Sequence, residues 1–502
     1  DRSPSRGLGD VYKRQTLQRM ELLKTGYMGT LSLGWDNYLF LELTGRQERS
    51  STLKDQSFFY PSANLSFLFS NAFRMPAWWN HGKLRLSYGV VGNAPETYAA
   101  NIIYEQGSDN GFTWNYVPSS WGNANIRPEK KYEYEIGFES KFLNNRLGFD
   151  VSYYNNRVKD QILSTPQPST SGVKYVLMNV GEVANEGWDI SVSATPVLTK
   201  NFRWDLTANY GIYRNKVVKL ADGVPYLEIS NIGGGGAKIQ AVEGRPMGDI
   251  YVQVPQMNEN GEYLVSDKGL YMNQTELQRV GNINPDGVGG LFSSFSYKNI
   301  FLDFSIDFRI GGDVINEMYQ YSTASGLTPE SLQFRDTEHG GLSYYYPGNN
   351  NASGVPVQVD PSLGAGPNGE TVYHDGVILP GVVASTGEKN TRIIPAGYYY
   401  NQTYNWGTQP EQLTYRHSVF DNSYVKLREL TIGYQFPEKL ISKLGMTRLS
   451  VSVFGRNLFY FYKALKNYDA ESSVGTSWAS QAVVGGSTTA TRNFGVSLRA
   501  SF

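Results

Sequence analysis

Histidines and paired carboxylates are the side chains of this chain that could carry out acid–base or metal chemistry. The four histidines are widely separated: His81, His339, His374 and His417. None lies at the spacing of metal ligands, so surface or loop positions explain them better. Glu133 and Glu135 could act as an acid and a base in an enzyme. Because they alternate with apolar residues, the water-facing side of a strand explains this pair better.

Two other motifs are weak signals. Gly233 to Gly236 form a glycine run without the Lys-Ser/Thr of a phosphate-binding loop, which indicates a flexible loop. Asn282, Asn284 and Asp286 only loosely resemble a calcium-binding loop. The chain has no cysteine, which excludes a disulfide framework, a thiolate nucleophile and a cysteine metal site. The sequence therefore predicts no enzyme, with no catalytic residue, no cofactor site and no metal site.

Aromatic residues in two long polar segments are the candidates for binding. They are Trp114, Tyr116, Trp121, Tyr344, Tyr345, Tyr346, Tyr398, Tyr399, Tyr400 and Trp406. A flat ring can stack on a sugar or anchor a protein partner. The alternative is that these rings pack within their own loops. Acidic and amide groups in the same loops could bind sugar hydroxyls, but nothing in the sequence selects particular ones.

The segments that must position these residues are alternating strands, and the last strand is the clearest. One face of it is apolar: Phe494, Val496, Leu498, Ala500 and Phe502. The other face is polar: Asn493, Gly495, Ser497, Arg499 and Ser501. This pattern, closed by a terminal Phe, is typical of the final strand of an outer-membrane β-barrel, with lipid on one side and water on the other. A soluble β-sandwich could also end on such a strand.

The same alternation recurs along the chain and predicts about thirteen strands. Lys131 to Phe142 is a clear example, and Asp36-Asn37 marks a tight hairpin turn. The alternation slips once, near Lys426 to Glu429, which indicates a β-bulge. Short turns alternate with long polar loops, chiefly 92–129 and 313–423. Membrane barrels sort their loops in this way, with short turns in the periplasm and long loops outside.

Composition agrees with this interpretation. Aromatic residues make up 14% of the 502 residues, with 36 Tyr and 53 Gly. Tyr and Trp concentrate where a ring meets both an apolar phase and water, as in the aromatic girdles of a barrel. No apolar run is long enough for a membrane-spanning helix. The net charge of −1 gives no reason to expect nucleic acid as a partner.

The chain divides into two unequal parts. Residues 1–25 begin with a basic, polar stretch unlike the rest, so we expect a disordered or non-native segment there, without a signal peptide. Residues 26–502 carry the predicted strands. An odd strand count would leave an open edge in lipid, so we expect that further strands precede these.

Seven stretches, in this order, resemble the C-terminal barrel of SusC/RagA-like TonB-dependent outer-membrane receptors of Bacteroidetes. They are Phe59–Ser62 with Leu65–Ser66, Lys83–Asn93, Arg127–Glu129 with Tyr134–Gly137, Asn179–Glu182 with Asn185–Trp188, Gly281–Pro285, Leu427–Tyr434 and Gly455–Phe459. The resemblance covers about residues 26–502, and it explains Asn282, Asn284 and Asp286 better than a calcium site does.

The resemblance implies an antiparallel transmembrane β-barrel of about 22 strands, of which this chain would supply about thirteen, with long extracellular loops. It implies an N-terminal plug and a TonB-box, which this chain lacks, and a SusD-like surface lipoprotein that caps the barrel as a lid. The expected function is TonB-driven import of oligosaccharides or peptides across the outer membrane. The aromatic residues named above would then contact the substrate or the lid. Phe494, Val496, Leu498 and Phe502 would form the barrel's assembly signal.

Two other classes of protein are consistent with the same strand pattern. A passive outer-membrane porin would have the same strands and terminal Phe but no plug. A surface or soluble β-rich binding protein, such as an adhesin or lectin, would have neither a plug nor a transport role. The full-length sequence and the membrane fractionation of its product separate these alternatives.

Overall fold

Thirteen long antiparallel strands form the main sheet of the protein. In this computed structural model the described residues are 20–53, 57–101, 103–109, 112–405, 415–473, 475, 477–486 and 490–502. The strands are β1 Lys24–Trp35, β2 Leu39–Ser50, β3 Ser57–Phe67, β4 Trp79–Asn93, β5 Glu129–Phe142, β6 Leu147–Pro166, β7 Tyr175–Leu198, β8 Phe202–Lys219, β9 Gly287–Tyr297, β10 Ile300–Ile310, β11 Tyr424–Gln435, β12 Arg448–Lys463 and β13 Asn493–Ser501.

Each strand pairs with the next one along the chain, from β1 to β13. This order confirms the thirteen predicted strands and the antiparallel arrangement. A short strand, Ser120–Trp121, adds to the sheet by pairing in parallel with β7. Within the described part of the chain, no helix is long and apolar enough to cross a membrane.

The turns form as their residues predict. Asp36 and Asn37 both have positive φ, at 46° and 59°, which the central residues of a type I′ turn require and which Asp and Asn tolerate. The predicted bulge lies in β11, where Ser305 pairs with Glu429 and Ile306 pairs with Leu427. Arg428 therefore has no directly paired residue in the backbone register with β10, and the alternation of β11 shifts by one residue at this point.

The two faces of the main sheet differ in polarity. On β5, Tyr134, Ile136 and Phe138 are exposed on one face, whereas Glu133 accepts a hydrogen bond from Asn156 on the other. The register carries both faces across neighbouring strands, because directly paired residues share a side. At the C-terminus, Phe494, Val496, Leu498 and Phe502 are among the most exposed apolar side chains of the described chain. We call the two sides the apolar face and the polar face.

The links between strands alternate in length, as the sequence predicts, with two exceptions. Links of two to twelve residues lie at one end, and the loops 94–128, 220–286, 311–423 and 464–492 lie at the other. Two shorter links also lie at the loop end: residues 51–56 join β2 to β3, and residues 167–174 join β6 to β7, which extend beyond the alternating core. The sequence predicts a longer loop between β6 and β7 because both strands lose their apolar alternation outside the apolar band.

Smaller elements fold within the loops and links. The described residues form four short α-helices: α1 Phe69–Ala72, α2 Glu317–Ala324, α3 Ala396–Tyr404 and α4 Glu438–Ile441. The loop strands that pair in small sheets are Glu105–Asp109, Phe112–Tyr116, Tyr226–Ile232, Ala237–Val242, Asp249–Val252, Leu264–Val265, Gln278–Asn282, Asp313–Asn316, Leu342–Tyr345, Val357–Gln358, Val372–Val377, Val382–Val383, Ile394–Pro395, Val419–Asp421 and Val483–Val484. Much of the buried apolar core lies among these loop elements.

Candidate binding surface on the long loops

Three of the long loops at one end of the sheet, 220–286, 311–423 and 464–492, are held together as one layer. Asp313–Asn316, at the start of the longest loop, pairs with Val419–Asp421 at its end and with Val483–Val484 from the loop before β13. Leu264–Val265, from the loop between β8 and β9, pairs with Val382–Val383. Each pairing joins segments that are far apart in sequence, so these loops form a supported surface.

An apolar cluster fixes the base of this layer. Ile315, Val483 and Tyr415 are buried and pack together, although they lie on three separate segments. Burying such side chains is worth about 1.5–3 kcal/mol each. The Tyr415 hydroxyl donates a hydrogen bond to Glu317, and burial raises the pKa of that carboxyl above its usual range. The base of the longest loop is therefore mostly apolar, and the Tyr415–Glu317 hydrogen bond lies within it.

Tyrosines join the two helices of the longest loop. The Asn316 side chain caps α2 by accepting a hydrogen bond from the Tyr319 backbone N–H. Tyr319 and Tyr400 both pack near Tyr404, with ring centroids 6.3 Å and 6.1 Å away. The Tyr400 hydroxyl donates to the Glu330 carbonyl oxygen at 2.8 Å. Burial raises the pKa of Tyr400 to about 12, so the phenol remains a donor at neutral pH.

Tyr344 lies inside the small sheet next to these helices. Its ring packs against Tyr346 and Tyr373 at 5.6 Å and 5.5 Å, and its hydroxyl donates to Asp375 at 3.0 Å. Burial, followed by the charge of Asp375, raises the pKa of Tyr344 strongly. Tyr344 is 1% exposed and Tyr400 is 6% exposed, so neither ring offers a free face in this conformation.

Other predicted aromatic residues remain accessible. Tyr398 is at the surface of α3, while Tyr345, Tyr346 and Tyr399 are half-buried. Among the described ring contacts, Tyr399 meets Tyr400 at 4.9 Å. Trp406 lies outside the described residues. The structure therefore divides this predicted set between rings that pack within the loop and rings that a ligand could reach.

Trp114 and Tyr116 lie on a separate hairpin in the loop between β4 and β5. Both rings are exposed, and Phe112 on the same strand is 77% exposed. Trp121 is half-buried on the short strand beside β7. In the described structure, no ring contact joins this hairpin to the tyrosines of the longest loop. The predicted aromatic residues thus form two groups.

The sequence did not single out the polar face of the main sheet as a possible binding wall. A cavity of about 770 Å³ lies against it, lined by Arg85, Asp150, Asp189, Asn209 and Asp307 among others. Arg85 bonds Asp150 at 2.6 Å and Ser152 at 3.2 Å. In the sequence, only the polar residues of each alternating strand indicate this wall. The strand register brings these residues together once the sheet has formed.

The carboxylates and histidines form no metal site in the described part of the chain. No group of three or more metal-binding side chains comes together there. The four histidines lie apart, with His339 next to Asp336 and His374 next to Ser343. Asn282 and Asn284 bond backbone and side-chain atoms of their own turn and the carbonyl oxygen of Met247, which is a structural role.

Comparison with known proteins agrees with this architecture. Residues 4–250 match the family described as TonB dependent receptor-like, beta-barrel. TonB-dependent receptor P3 of Formosa agariphila is 22% identical over 84% of this chain and 39% of its own length. TonB-dependent receptor SusC of Bacteroides thetaiotaomicron is 27% identical over 45% of this chain and 24% of its own length.

Solved structures show the same fold. The structure of the RagAB peptide transporter superimposes with a TM-score of 0.68 and 19% identity, covering 96% of this chain and 48% of the other. A closed-closed state of the RagAB peptide importer gives a TM-score of 0.66. The chain spans less than half the length of these relatives. Taken together, the chain is similar to the TonB-dependent receptor β-barrel family over residues 4–250, is SusC/RagA-like, and is a protein of the bacterial outer membrane.

Proposed function

We propose that this chain forms part of the barrel of a receptor that imports oligosaccharides or peptides across the outer membrane. In the complete receptor, a plug would close the lumen and TonB would supply the energy for its release. A SusD-like lipoprotein would cap the loop end and deliver the substrate. The chain would act as a transporter and not as an enzyme.

One observation carries this proposal: a wide strand wall with a polar face ends in an ordered layer of long loops. The apolar face suits lipid, the polar face suits a water-filled lumen, and the loops supply surface for a ligand or lid. Interlocked loops are a better docking surface than free ones, because less conformational entropy is lost on binding. The matched relatives are receptors, and the RagAB structures are named as a peptide transporter and importer.

Energy dependence separates this proposal from a passive porin. The complete receptor would be expressed in its own bacterium with and without a functional TonB, and uptake of labelled oligosaccharide and peptide pools would be measured. Import that requires TonB supports the proposal. Equal import in both strains contradicts it and favours a channel.

The lid is tested separately by co-purification. We expect a lipoprotein encoded beside the receptor to remain bound to it in detergent, and its loss to lower uptake at low substrate concentration. Recovery of the receptor alone, with unchanged uptake after deletion of the neighbouring lipoprotein gene, would contradict the lid and leave TonB-driven import standing.

A further inference from the structure

A small apolar cavity lies on the polar face of the wall, where β7 and β8 meet the loop that follows them. Its volume is about 250 Å³. Val183 and Val217 form one side as a directly paired couple, and Leu227 and Ala241 form the other as a pair in the loop sheet. Met247 also lines the cavity. An apolar cavity of about 150 Å³ already accepts a benzene-sized molecule, so there is room here for one large aliphatic side chain.

The position of the cavity shows that it is reached from water. Asn185 and Asn215 lie on the polar face, and Asn185 bonds Asn156 there. Val183 and Val217 are two residues away from them on the same strands, so they point to the same side. At the cavity's edge, Lys219 and Glu228 are exposed. A lipid acyl chain on the opposite, apolar face of the sheet has no access to it.

A polar recess of about 280 Å³ adjoins this cavity. The two share Gly181, Lys219 and Leu220. Lys159 and Glu182 are among the other lining residues of the recess, so it carries both signs of charge as well as backbone groups. An apolar cavity beside a polar recess of mixed charge suits a ligand that has an aliphatic group attached to a hydrogen-bonding backbone.

We infer that this pair of cavities is a subsite for a peptide, with one aliphatic side chain in the apolar cavity and the backbone along the polar recess. The inference rests on the proposed import function and selects peptides from its two substrate classes. Sugar recognition uses a flat aromatic ring, and the described lining of the apolar cavity contains none. Three strands, β6, β7 and β8, and a loop sheet build the site, so it is pre-formed.

Photo-crosslinking tests the inference directly. Purified full-length receptor would be irradiated with the heptapeptide Gly-Ser-Gly-photoleucine-Gly-Ser-Gly, and the labelled residues would be mapped by mass spectrometry. We expect label on the segments that contain Val217, Leu227 and Met247. Excess unlabelled leucine peptide should remove the label, whereas maltoheptaose and laurate should not. Label only elsewhere, or competition by maltoheptaose or laurate but not by leucine peptide, overturns the inference.

Two cavity variants are used, so that the result does not depend on whether one of them folds poorly. Ala241→Leu fills the cavity, and Leu227→Asn makes its lining polar; each should lower labelling at least tenfold. Leu440→Asn changes an exposed leucine on α4, at the opposite end of the sheet and outside both cavities, and should leave labelling unchanged. Labelling would be compared only among variants whose melting temperature equals that of the wild-type receptor. Wild-type labelling in both cavity variants overturns the inference.

This measurement is separable from the import function because it requires neither TonB nor a membrane. Labelling at the cavity together with TonB-independent uptake would contradict the proposed transport mechanism and support the subsite. TonB-dependent uptake of oligosaccharide without any labelling at the cavity would support the transport mechanism and overturn the subsite.

Discussion

Glu133 and Ile136 are only three residues apart on β5, yet they lie on opposite faces of the wall. Glu133 accepts a hydrogen bond from Asn156 at 3.2 Å, while Ile136 is exposed on the apolar face. In the full-length receptor, a cysteine at position 133 should react with a water-soluble maleimide, and one at position 136 should be protected by lipid. Reaction at both positions to the same extent would contradict the assignment of faces.

The same position gives an energetic prediction. Ile136→Arg would place a charge on the lipid side, and near the bilayer midplane this should cost about 2–4 kcal/mol of folding free energy. Refolding titrations into lipid vesicles would measure the loss. Ser87→Arg is the matched control, because Ser87 pairs with Glu135 on the polar face. A control variant as destabilised as Ile136→Arg would show that β5 does not face lipid there.

Phe502 is 81% exposed on the apolar face beyond the end of β13. We predict that it serves assembly, as the family resemblance implies, and takes no part in transport. Phe502→Ala in the full-length receptor should lower the amount in the outer membrane without changing uptake per surviving molecule, whereas Phe502→Tyr should preserve both. Quantified membrane fractions and uptake assays give the two values. Normal abundance of the Ala variant would contradict the assembly role.

Single residues also show where sequence reasoning reaches its limit. The alternation of β5 and β13 fixes which side chains face which way, because a strand has only two sides. The Tyr triplets carry no such period. Tyr344 and Tyr400 are buried while Tyr398 is exposed, and only the tertiary packing of the loop decides this. Whether the exposed rings contact substrate or lid stays a prediction.

At the scale of elements, the loop sheet between β8 and β9 depends on a buried carboxylate. Asp249 is fully buried and bonds Arg245 and Arg279 at 2.6 Å and 2.8 Å. Burial opposes its charge, but the bonds from Arg279, Arg245 and Asn282 outweigh it and hold the pKa of Asp249 below its ordinary value. The Asp249 carboxylate is therefore ionised in the folded loop sheet at neutral pH.

Asp249→Asn should loosen this sheet by about 1–3 kcal/mol, because it removes charge-assisted hydrogen bonds in a buried position. Hydrogen exchange of Ala237–Val242 and Gln278–Asn282 would report the change at pH 7. Asp222→Asn alters an exposed carboxylate in the same loop and is the matched control. Unchanged exchange in Asp249→Asn would mean that the apolar cluster alone holds the sheet.

The pH dependence of this element has a definite sign. A carboxyl whose folded pKa is depressed adds stability above its unfolded pKa of 3.8 and loses it as the pH falls through the lower, folded value. The wild-type loop sheet should therefore become easier to cleave with pepsin only below pH 3.8, and Asp249→Asn should lose most of that dependence. A wild-type cleavage rate that does not change across this range would contradict the argument.

Strand lengths show what an alternating pattern can and cannot predict. A tilted strand spans a bilayer with about 9–11 residues. Apolar and polar side chains must alternate only within this membrane-spanning part. β6 and β7 continue to Pro166 and from Tyr175, where no lipid requires an apolar face. Their outer ends, and the pairing of Ile315 with Val483, carry no periodic signal and depend on tertiary contacts.

For the whole molecule, the strand count and the sorting of links were predictable because each strand of the main sheet pairs with the next one along the chain. The layer that closes the loop end was not, since it joins segments from three loops. That layer makes removal of the entire loop 313–423 a poor experiment, because Val483 and Leu264 would lose their partners. A smaller part of this loop can be replaced instead: residues 347–370, which we call the excursion.

The excursion at 347–370 leaves and rejoins one small sheet, where Tyr345 pairs directly with Val372. Replacing it with Asn-Gly, which favours a tight hairpin turn, removes the edge strand Val357–Gln358 but should keep the pairing of Leu342–Tyr345 with Val372–Val377 and barrel assembly. It also removes exposed Val355, Val357 and Leu363. We predict weaker capture of the lipoprotein lid and lower uptake in the full-length receptor, measured by co-purification and by growth on the cognate nutrient. An Asn-Gly replacement of 199–201 at the opposite end is the control. Wild-type lid capture and growth after the 347–370 replacement would show that this excursion contacts neither lid nor substrate.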